Sequence, residues 1–285
     1  MKQAILITAY KDTSSVYELV KVFGEDFNFY VHFDKKSQLD VTSLKSITNL
    51  TIINSYKVNW GGTNHFFAIL DLCKAALENK DNVFFHLITA EDFPIKSLSD
   101  FWQLDIGKNY LDYTEFPYYG WDSSGGFDRI NYYRFFDLFN AKKKNGARIL
   151  NFLLNLQKKI GLKRKSLNFD KLYGGSTYWS LNRESLEKVF SVLDYKMLRR
   201  LRYTFCAEEF VFQSIIMNSA LKHTVVNNNL RYIDWQSKRG GDPAFLDETD
   251  FDNLKNCDKL FARKILKTDK NQLLIALKSH IGYTE

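Results

Sequence analysis

Ala4-Ile5-Leu6-Ile7-Thr8-Ala9-Tyr10, followed at once by Lys11-Asp12, is the stretch on which the fold turns. It is too short for a secretory signal and lacks a small-residue cleavage site. Its length, its Ile and Thr content and its abrupt charged end fit a buried first β-strand instead. Further along, Phe27–Phe33, Leu50–Ser55, Val83–Thr89 and Tyr110–Glu115 are runs of the same kind. Between them, Ser14–Val22 and Thr63–Leu77 have helical spacing, the second with Phe66, Ile69, Leu70, Cys73 and Leu77 on one face. Ser97-Leu98-Ser99-Asp100 opens a further short helix with a capping residue. Strands alternating with helices predict an α/β domain around a mixed, mostly parallel sheet.

The remaining composition agrees with one globular domain over 1–285. The chain has 285 residues, 45% hydrophobic and 16% aromatic, with only 3 Pro, which excludes a disordered, collagenous or coiled-coil chain. No window approaches the roughly 18–20 apolar residues of a membrane span. Cys73, Cys206 and Cys257 are odd in number and far apart, so they read as buried thiols rather than a disulfide framework or a zinc site. The expected location is cytoplasmic, peripheral at the inner membrane face if a surface segment lies on the bilayer. Residues 1–120 form the expected nucleotide-binding half, and 121–285 the acceptor and catalytic half.

The net charge of +7 is concentrated. Between Ala141 and Ser166 stand nine basic residues and no acid, which leaves 7 − 9 = −2 for the rest. Ile149, Leu150, Phe152, Leu153, Leu156 and Ile160 are interleaved with these cations. The segment reads as an amphipathic helix on an anionic membrane, with a solvated helix or a mobile lid as the equally weighted plainer alternative. Nucleic acid is not expected, since the rest of the chain is slightly acidic and no nucleic-acid fold is recognisable. Before this segment, Glu115–Arg129 is aromatic and glycine-rich, with the irregularity of a binding loop. After it come a Gly174-Gly175 turn, a strand Ser176–Leu181, a helix from Arg183 to about Leu193, a helix starting near Cys206, and strands Thr224–Val226 and Leu230–Trp235.

In an open α/β sheet, ligands bind beyond the carboxyl ends of the strands. These ends carry Thr8–Lys11, Asp34–Ser37, Trp60-Gly61-Gly62 and Glu91-Asp92. No G-x-G-x-x-G follows the first strand and no P-loop is present, which argues against dinucleotide and P-loop chemistry. The only D-x-D, Asp250-Phe251-Asp252, falls late in the chain, where acids at a helix start explain it.

Eight stretches in order resemble the core-2/I-branching β-1,6-N-acetylglucosaminyltransferase and peptide xylosyltransferase group, glycosyltransferase family 14, in its bacterial form. They are 5–12 (ILITAYKD), 31–37 (VHFDKKS), Trp60-Gly61-Gly62, 85–97 (FHLITAEDFPIKS), 175–181 (GSTYWSL), 206–219 (CAEEFVFQSIIMNS), 230–235 (LRYIDW) and 260–265 (LFARKI). Many members have histidine where Tyr10 stands, and the basic segment has no counterpart. The resemblance implies a GT-A-like, Rossmann-like nucleotide-sugar domain and an inverting enzyme that uses a UDP-sugar without a metal. N-acetylglucosamine is the leading donor sugar, with xylose and glucose as competitors.

The same resemblance implies roles for individual residues. Thr8, Ala9, Tyr10 and Asp34 would hold the uridine, and Glu209 would be the catalytic base. Lys264 would neutralise the diphosphate, helped by a basic residue before it, best matched by Arg239. Arg129 and Tyr132 fall where members place acceptor-recognising polar groups; from the residues themselves, Trp235 beside Asp234 is the favoured acceptor-side aromatic contact, and Glu91 and Asp92 would orient the sugar or the loop. Several have a plainer alternative. Asp34 and Glu91-Asp92 could be turn acids, Glu208-Glu209 first-turn helix acids, Lys264 a solvated cation, and Trp60, Trp179 and Trp235 core residues. The opposing class is a non-catalytic protein on the same scaffold that binds a membrane surface or a polyanion.

Overall fold

A computed structural model describes residues 1–283. The leading strand is β1 (Lys2–Ala9), followed by α1 (Ser14–Phe23), β2 (Phe27–Phe33), β3 (Leu50–Ile53), α2 (Thr63–Glu78) and β4 (Asn82–Thr89). Then come β5 (Phe93–Pro94), α3 (Leu98–Trp102), β6 (Asn109–Leu111), β7 (Thr114–Glu115), α4 (Asp128–Asn131) and α5 (Lys144–Lys159). The rest is β8 (Tyr173–Gly174), β9 (Trp179–Asn182), α6 (Arg183–Val192), α7 (Tyr195–Leu201), α8 (Val211–Met217), β10 (Val225–Val226), β11 (Arg231–Ile233), α9 (Phe251–Asn256), β12 (Phe261–Arg263) and α10 (Gln272–His280).

The main sheet runs β10-β6-β9-β4-β1-β2-β3. Strands β1 to β4 are mutually parallel, while β9 lies antiparallel to both β4 and β6. This is the mixed, mostly parallel α/β sheet that the alternating runs predict. Strand polarity sets the two cores. In β1, Ala4 and Leu6 point into one core with α2, α6 and α8, and Ile5, Ile7 and Ala9 into the other with α1 and α10. Chain order reverses between β1 and β4, because β2 and β3 build outward on one side and β4 returns to the other. That reversal opens a crevice at their carboxyl ends.

Several expected elements are placed differently. Tyr110–Glu115 divides at Asp112, whose carboxylate accepts from Asn229 N (3.0 Å) and Nδ2 (2.6 Å). The chain then leaves the main sheet, and β7 pairs with β8, so the expected Gly174-Gly175 turn is partly strand. The helix expected near Cys206 begins only at Val211, since Cys206 takes a left-handed φ of 48° and leads into a 3₁₀ turn, Ala207–Glu209. Leu230–Trp235 shortens to β11 in a second sheet, β11-β12-β5. Of the tryptophans only Trp179 is core; Trp60 and Trp235 are 58% and 68% exposed. Cys73 and Cys206 are buried, but Cys257 only partly.

The basic segment folds as α5, and it is pinned to the body. Gln157 is buried and exchanges two hydrogen bonds with the Tyr133 backbone, at 2.8 and 3.0 Å. Lys158 pairs with Asp128. Arg164 donates to Thr204 Oγ1 (2.9 Å) and to the carbonyls of Arg200, Arg202 and Tyr203. Among the described residues no helix is long and apolar enough to cross a membrane.

Candidate active site

The crevice floor is the end of β1. Ala9 O accepts from Asp34 N (2.9 Å) and Thr8 O from Ala90 N (3.1 Å), which ties the ends of β1, β2 and β4 together. Tyr10 stands exposed above them. Asp34 is buried, its Oδ1 accepting from Lys36 N (2.9 Å) and Val58 N (3.1 Å), with Lys36 Nζ 3.5 Å from Oδ2. It therefore organises the turn and holds a cation at its rim.

On the β4 side, Asp92 is fully buried and accepts from Thr89 N (2.6 Å). Burial pushes its pKa up, against the pull of Arg263, whose Nε is 3.4 Å away. Lys11 pairs with Glu91, and Arg263 Nη2 lies 3.7 Å from the other Glu91 oxygen. Burial would depress the Lys11 pKa, but Glu91 more than offsets this and raises it. Glu91 and Asp92, expected on the acceptor side, thus hold the cations at this crevice.

Lys264 differs from its neighbours. Its Nζ donates to Asp242 O (3.2 Å) and, among the described residues, forms no ion pair. Lys264 and Lys11 both approach the Phe245 ring, at 5.5 and 5.3 Å from its centroid. Burial lowers the Lys264 pKa; Glu91 opposes this, while Arg263, Lys11 and Lys142 reinforce it. A cation made uncomfortable by other cations is a place where an anion gains. Lys267, donating to Ala90 O, is pushed down to about 7 by burial despite Asp92. Arg239, the expected partner of Lys264, is occupied elsewhere: its guanidinium grips Asp247 and Asp250, both at 2.6 Å. Asp247 and Asp250 also form a capping box, so the D-x-D serves a helix start. Arg263, which is buried, is the cation beside Lys264 that the sequence reading passed over.

Across the crevice lies the Ala207–Glu209 turn. It is fixed by Cys206 N donating to Gly61 O (3.2 Å) and Gly175 N donating to Glu209 O (2.8 Å). Its approach to the Trp60 loop requires glycine: a Cβ on Gly61 would meet Phe205 at 2.4 Å, and one on Gly62 would meet Asp137 Oδ1 at 2.2 Å. The Asp137 carboxylate caps α2 through Asn64 N (3.0 Å) and Thr63 N (3.1 Å).

The two adjacent acids of the turn face different ways. Glu208 is buried, with Oε1 3.0 Å from His65 Nδ1 and Oε2 without a hydrogen-bond partner among the described residues. Burial disfavours the charged His65, but Glu208 outweighs it and raises the His65 pKa. Glu209 is 28% exposed; Arg129 Nη1 holds Oε2 at 2.5 Å, and Oε1 has no hydrogen-bond or ion-pair partner among the described residues. Burial raises the Glu209 pKa, Arg129 pulls it back, and Glu208 adds to the rise. The Arg129 guanidinium is itself stacked 4.0 Å from the Trp121 ring centroid, which gives the glycine-rich loop a positioning role. Tyr132 is buried with Lys158 5.5 Å from its ring centroid, and Trp235 stands outside on the β11 edge.

The two sides are joined. Arg263 stacks 4.6 Å from the Tyr178 ring centroid, on the strand approach that begins at Gly175 under Glu209. Arg263 also lies within electrostatic reach of His65. The sequence reading missed His65, although a lone histidine three residues after Gly62, off the apolar face of α2, marks its place. Among the described residues no group of three or more His, Cys, Asp or Glu is arranged to hold a metal ion.

A family model described as Core-2/I-Branching enzyme matches residues 4–255. Xylosyltransferase 1 of Rattus norvegicus is 26% identical over 231 residues, which cover 77% of this chain and 26% of that protein. Xylosyltransferase 2 of Homo sapiens is 26% identical over 292 residues, covering 92% of this chain and 31% of that protein. The chain thus spans about a quarter to a third of the length of these relatives. Among solved structures, the galactosyltransferase LgtC in complex with donor and acceptor sugar analogues aligns with a TM-score of 0.40 and 11% identity, over 98% of this chain and 95% of that one.

Proposed function

The chain belongs to the Core-2/I-branching enzyme family, and from that premise we propose that it is an inverting glycosyltransferase. It moves a sugar from a UDP-sugar to a hydroxyl of a glycan or glycoconjugate without a metal ion. One observation carries this reading: Glu209 has one oxygen clamped by Arg129 and the other free, its proton affinity raised by burial. That is the state a general base needs.

In the reaction, the free Glu209 oxygen takes the proton of the acceptor hydroxyl. The hydroxyl oxygen bonds to C1 of the donor sugar, the C1–O bond to the diphosphate breaks on the opposite face, and UDP leaves with the electron pair. Lys264, with Arg263 and Lys11 behind it, meets the charge that grows on the diphosphate. Arg129 keeps Glu209 aimed, and His65 with Glu208 forms the buried support below. Tyr10, Ala9, Thr8 and Asp34 form the wall against which the uridine would lie.

N-acetylglucosamine is the proposed sugar. Xylose is the second reading, favoured by the xylosyltransferases among the relatives; glucose is third. Calorimetric titration with UDP and a panel of these UDP-sugars, in EDTA and then with manganese, tests the proposal. Binding in EDTA that manganese leaves unchanged is expected. Binding only with manganese refutes the metal-independent mechanism, and no binding in either condition refutes the enzyme in favour of a non-catalytic scaffold.

A further inference from the structure

Helix α5 has two apolar faces and only one of them is covered. Leu150 and Gln157 pack against the body. Ile149, Phe152, Leu156 and Ile160 fall, at 3.6 residues per turn, within about 80° of one another on a different side. All four are exposed, Phe152 to 65% and Ile160 to 64%. Leu138 before the helix and Leu162 after it extend the same exposed apolar character. A soluble surface helix ordinarily turns polar residues outward, so a continuous outward apolar stripe calls for a partner.

The surrounding charge says which partner. Of the nine cations between 141 and 166, Lys158 and Arg164 have structural duties. The other seven, Lys142, Lys143, Lys144, Arg148, Lys159, Lys163 and Lys165, form no ion pair among the described residues. Arg148 and Lys159 border the stripe on the helix surface. A second copy docked on this face would set these seven cations against another seven, and the segment from 141 to 166 holds no acid to offset them. An apolar stripe edged by unpaired cations instead complements a surface that is apolar inside and anionic at its head groups.

We propose that α5 and its flanks dock the protein on an anionic lipid bilayer, with Ile149, Phe152, Leu156 and Ile160 entering the interface and the free lysines meeting the head groups. The inference rests on the exposed stripe and its cations and is independent of the glycosyl-transfer reading. It also fixes an orientation. Leu138, Lys143, Lys144 and Ile149 line a pocket of about 520 Å³ together with Asn59, and Asn59 Oδ1 accepts from Lys36 at the β2 end of the crevice (2.9 Å). A protein docked through α5 therefore brings that rim of the crevice to the bilayer.

The test is flotation of the full chain with vesicles of phosphatidylcholine alone and of phosphatidylcholine with roughly one-third phosphatidylglycerol. The protein floats with the anionic vesicles and not with the neutral ones, and added salt releases it. Phe152→Glu with Ile160→Glu, at positions already exposed, reduces binding at least tenfold while circular dichroism and the melting curve stay unchanged. Each of Lys159→Gln, Lys163→Gln and Lys165→Gln reduces it by roughly fivefold. Failure of the native chain to float with anionic vesicles overturns the proposal, as does flotation of the double variant at native strength. A concentration-dependent dimer that the double variant abolishes, without vesicle binding, overturns it in favour of a second copy.

Discussion

Replacing Glu209 by Gln keeps the side-chain shape and an oxygen for Arg129 while removing the proposed proton acceptor. General-base assistance is worth roughly 10²–10⁴-fold in rate, or about 3–5 kcal/mol of barrier, so kcat falls by that factor. Affinity for UDP stays within about twofold, because Glu209 faces Arg129 and not Lys264. UDP release under saturating donor and acceptor reads the rate, and calorimetry with UDP reads the binding. The pH profile is the sharper assay. The base works deprotonated, so activity declines as pH falls through its pKa. Burial and Glu208 raise that pKa, so the acid limb lies above the ~4.3 of a free glutamate. Arg129 pulls the same pKa down, so Arg129→Met, checked for folding by circular dichroism, moves the acid limb to higher pH. Turnover of Glu209→Gln within threefold of wild type, or an acid limb that Arg129→Met leaves in place or lowers, refutes the base assignment.

Three further outcomes follow from neighbouring residues. Lys264→Met removes the crevice cation that forms no ion pair among the described residues; the loss of a charge-assisted hydrogen bond weakens UDP binding by roughly 10–100-fold, and an unchanged titration curve would exclude Lys264 from the diphosphate site. Lys267 releases its proton near pH 7 in the folded protein but near 10.5 when unfolded, so the unfolded chain binds the extra proton between those values and stability rises with pH across them. The urea midpoint should therefore increase from pH 7 to pH 9 by an amount that Lys267→Met removes. Gly62→Ala forces Asp137 off the start of α2 and costs about 1–2 kcal/mol, read as a lower urea midpoint; no change would mean that the turn relaxes freely.

The central strands were legible because they are buried on both faces. Ala4–Ala9, Phe27–Phe33 and Val83–Thr89 are apolar runs broken by few polar residues, Asn28, His32 and His86 being themselves buried, and the structure keeps them almost to the residue. Short strands were not, since Phe93–Pro94 and Phe261–Arg263 are defined by pairing across the chain, Phe261–Arg263 lying between Arg231–Ile233 and Phe93–Pro94 in the second sheet. Helix α8 was displaced in the reading because its start is set by the left-handed Cys206, a conformation that no local pattern announces. Tyr110–Glu115 has an unbroken strand composition, and only the tertiary contact of Asp112 with Asn229 divides it.

The site was legible by position and not by partnership. Carboxyl ends of parallel strands marked Tyr10, Asp34 and Glu91-Asp92, but nothing in the sequence says that Arg129 reaches Glu209 across 80 residues or that His65 reaches Glu208 across 143. Those two contacts are what separate the adjacent acids. The 3₁₀ turn rotates successive side chains by about 120°, so one glutamate enters the core while its neighbour stays at the surface. Glu208, buried with one oxygen on His65, can support a charge but cannot meet an acceptor hydroxyl. Glu209, anchored through one oxygen and open at the other, can do so. On the proposed mechanism, the choice between them as proton acceptor is therefore made by the backbone, through Gly61, Cys206 and Gly175, before any side-chain chemistry is considered. Exchanging the roles would require moving that turn, and the steric limits at Gly61 and Gly62 oppose the movement.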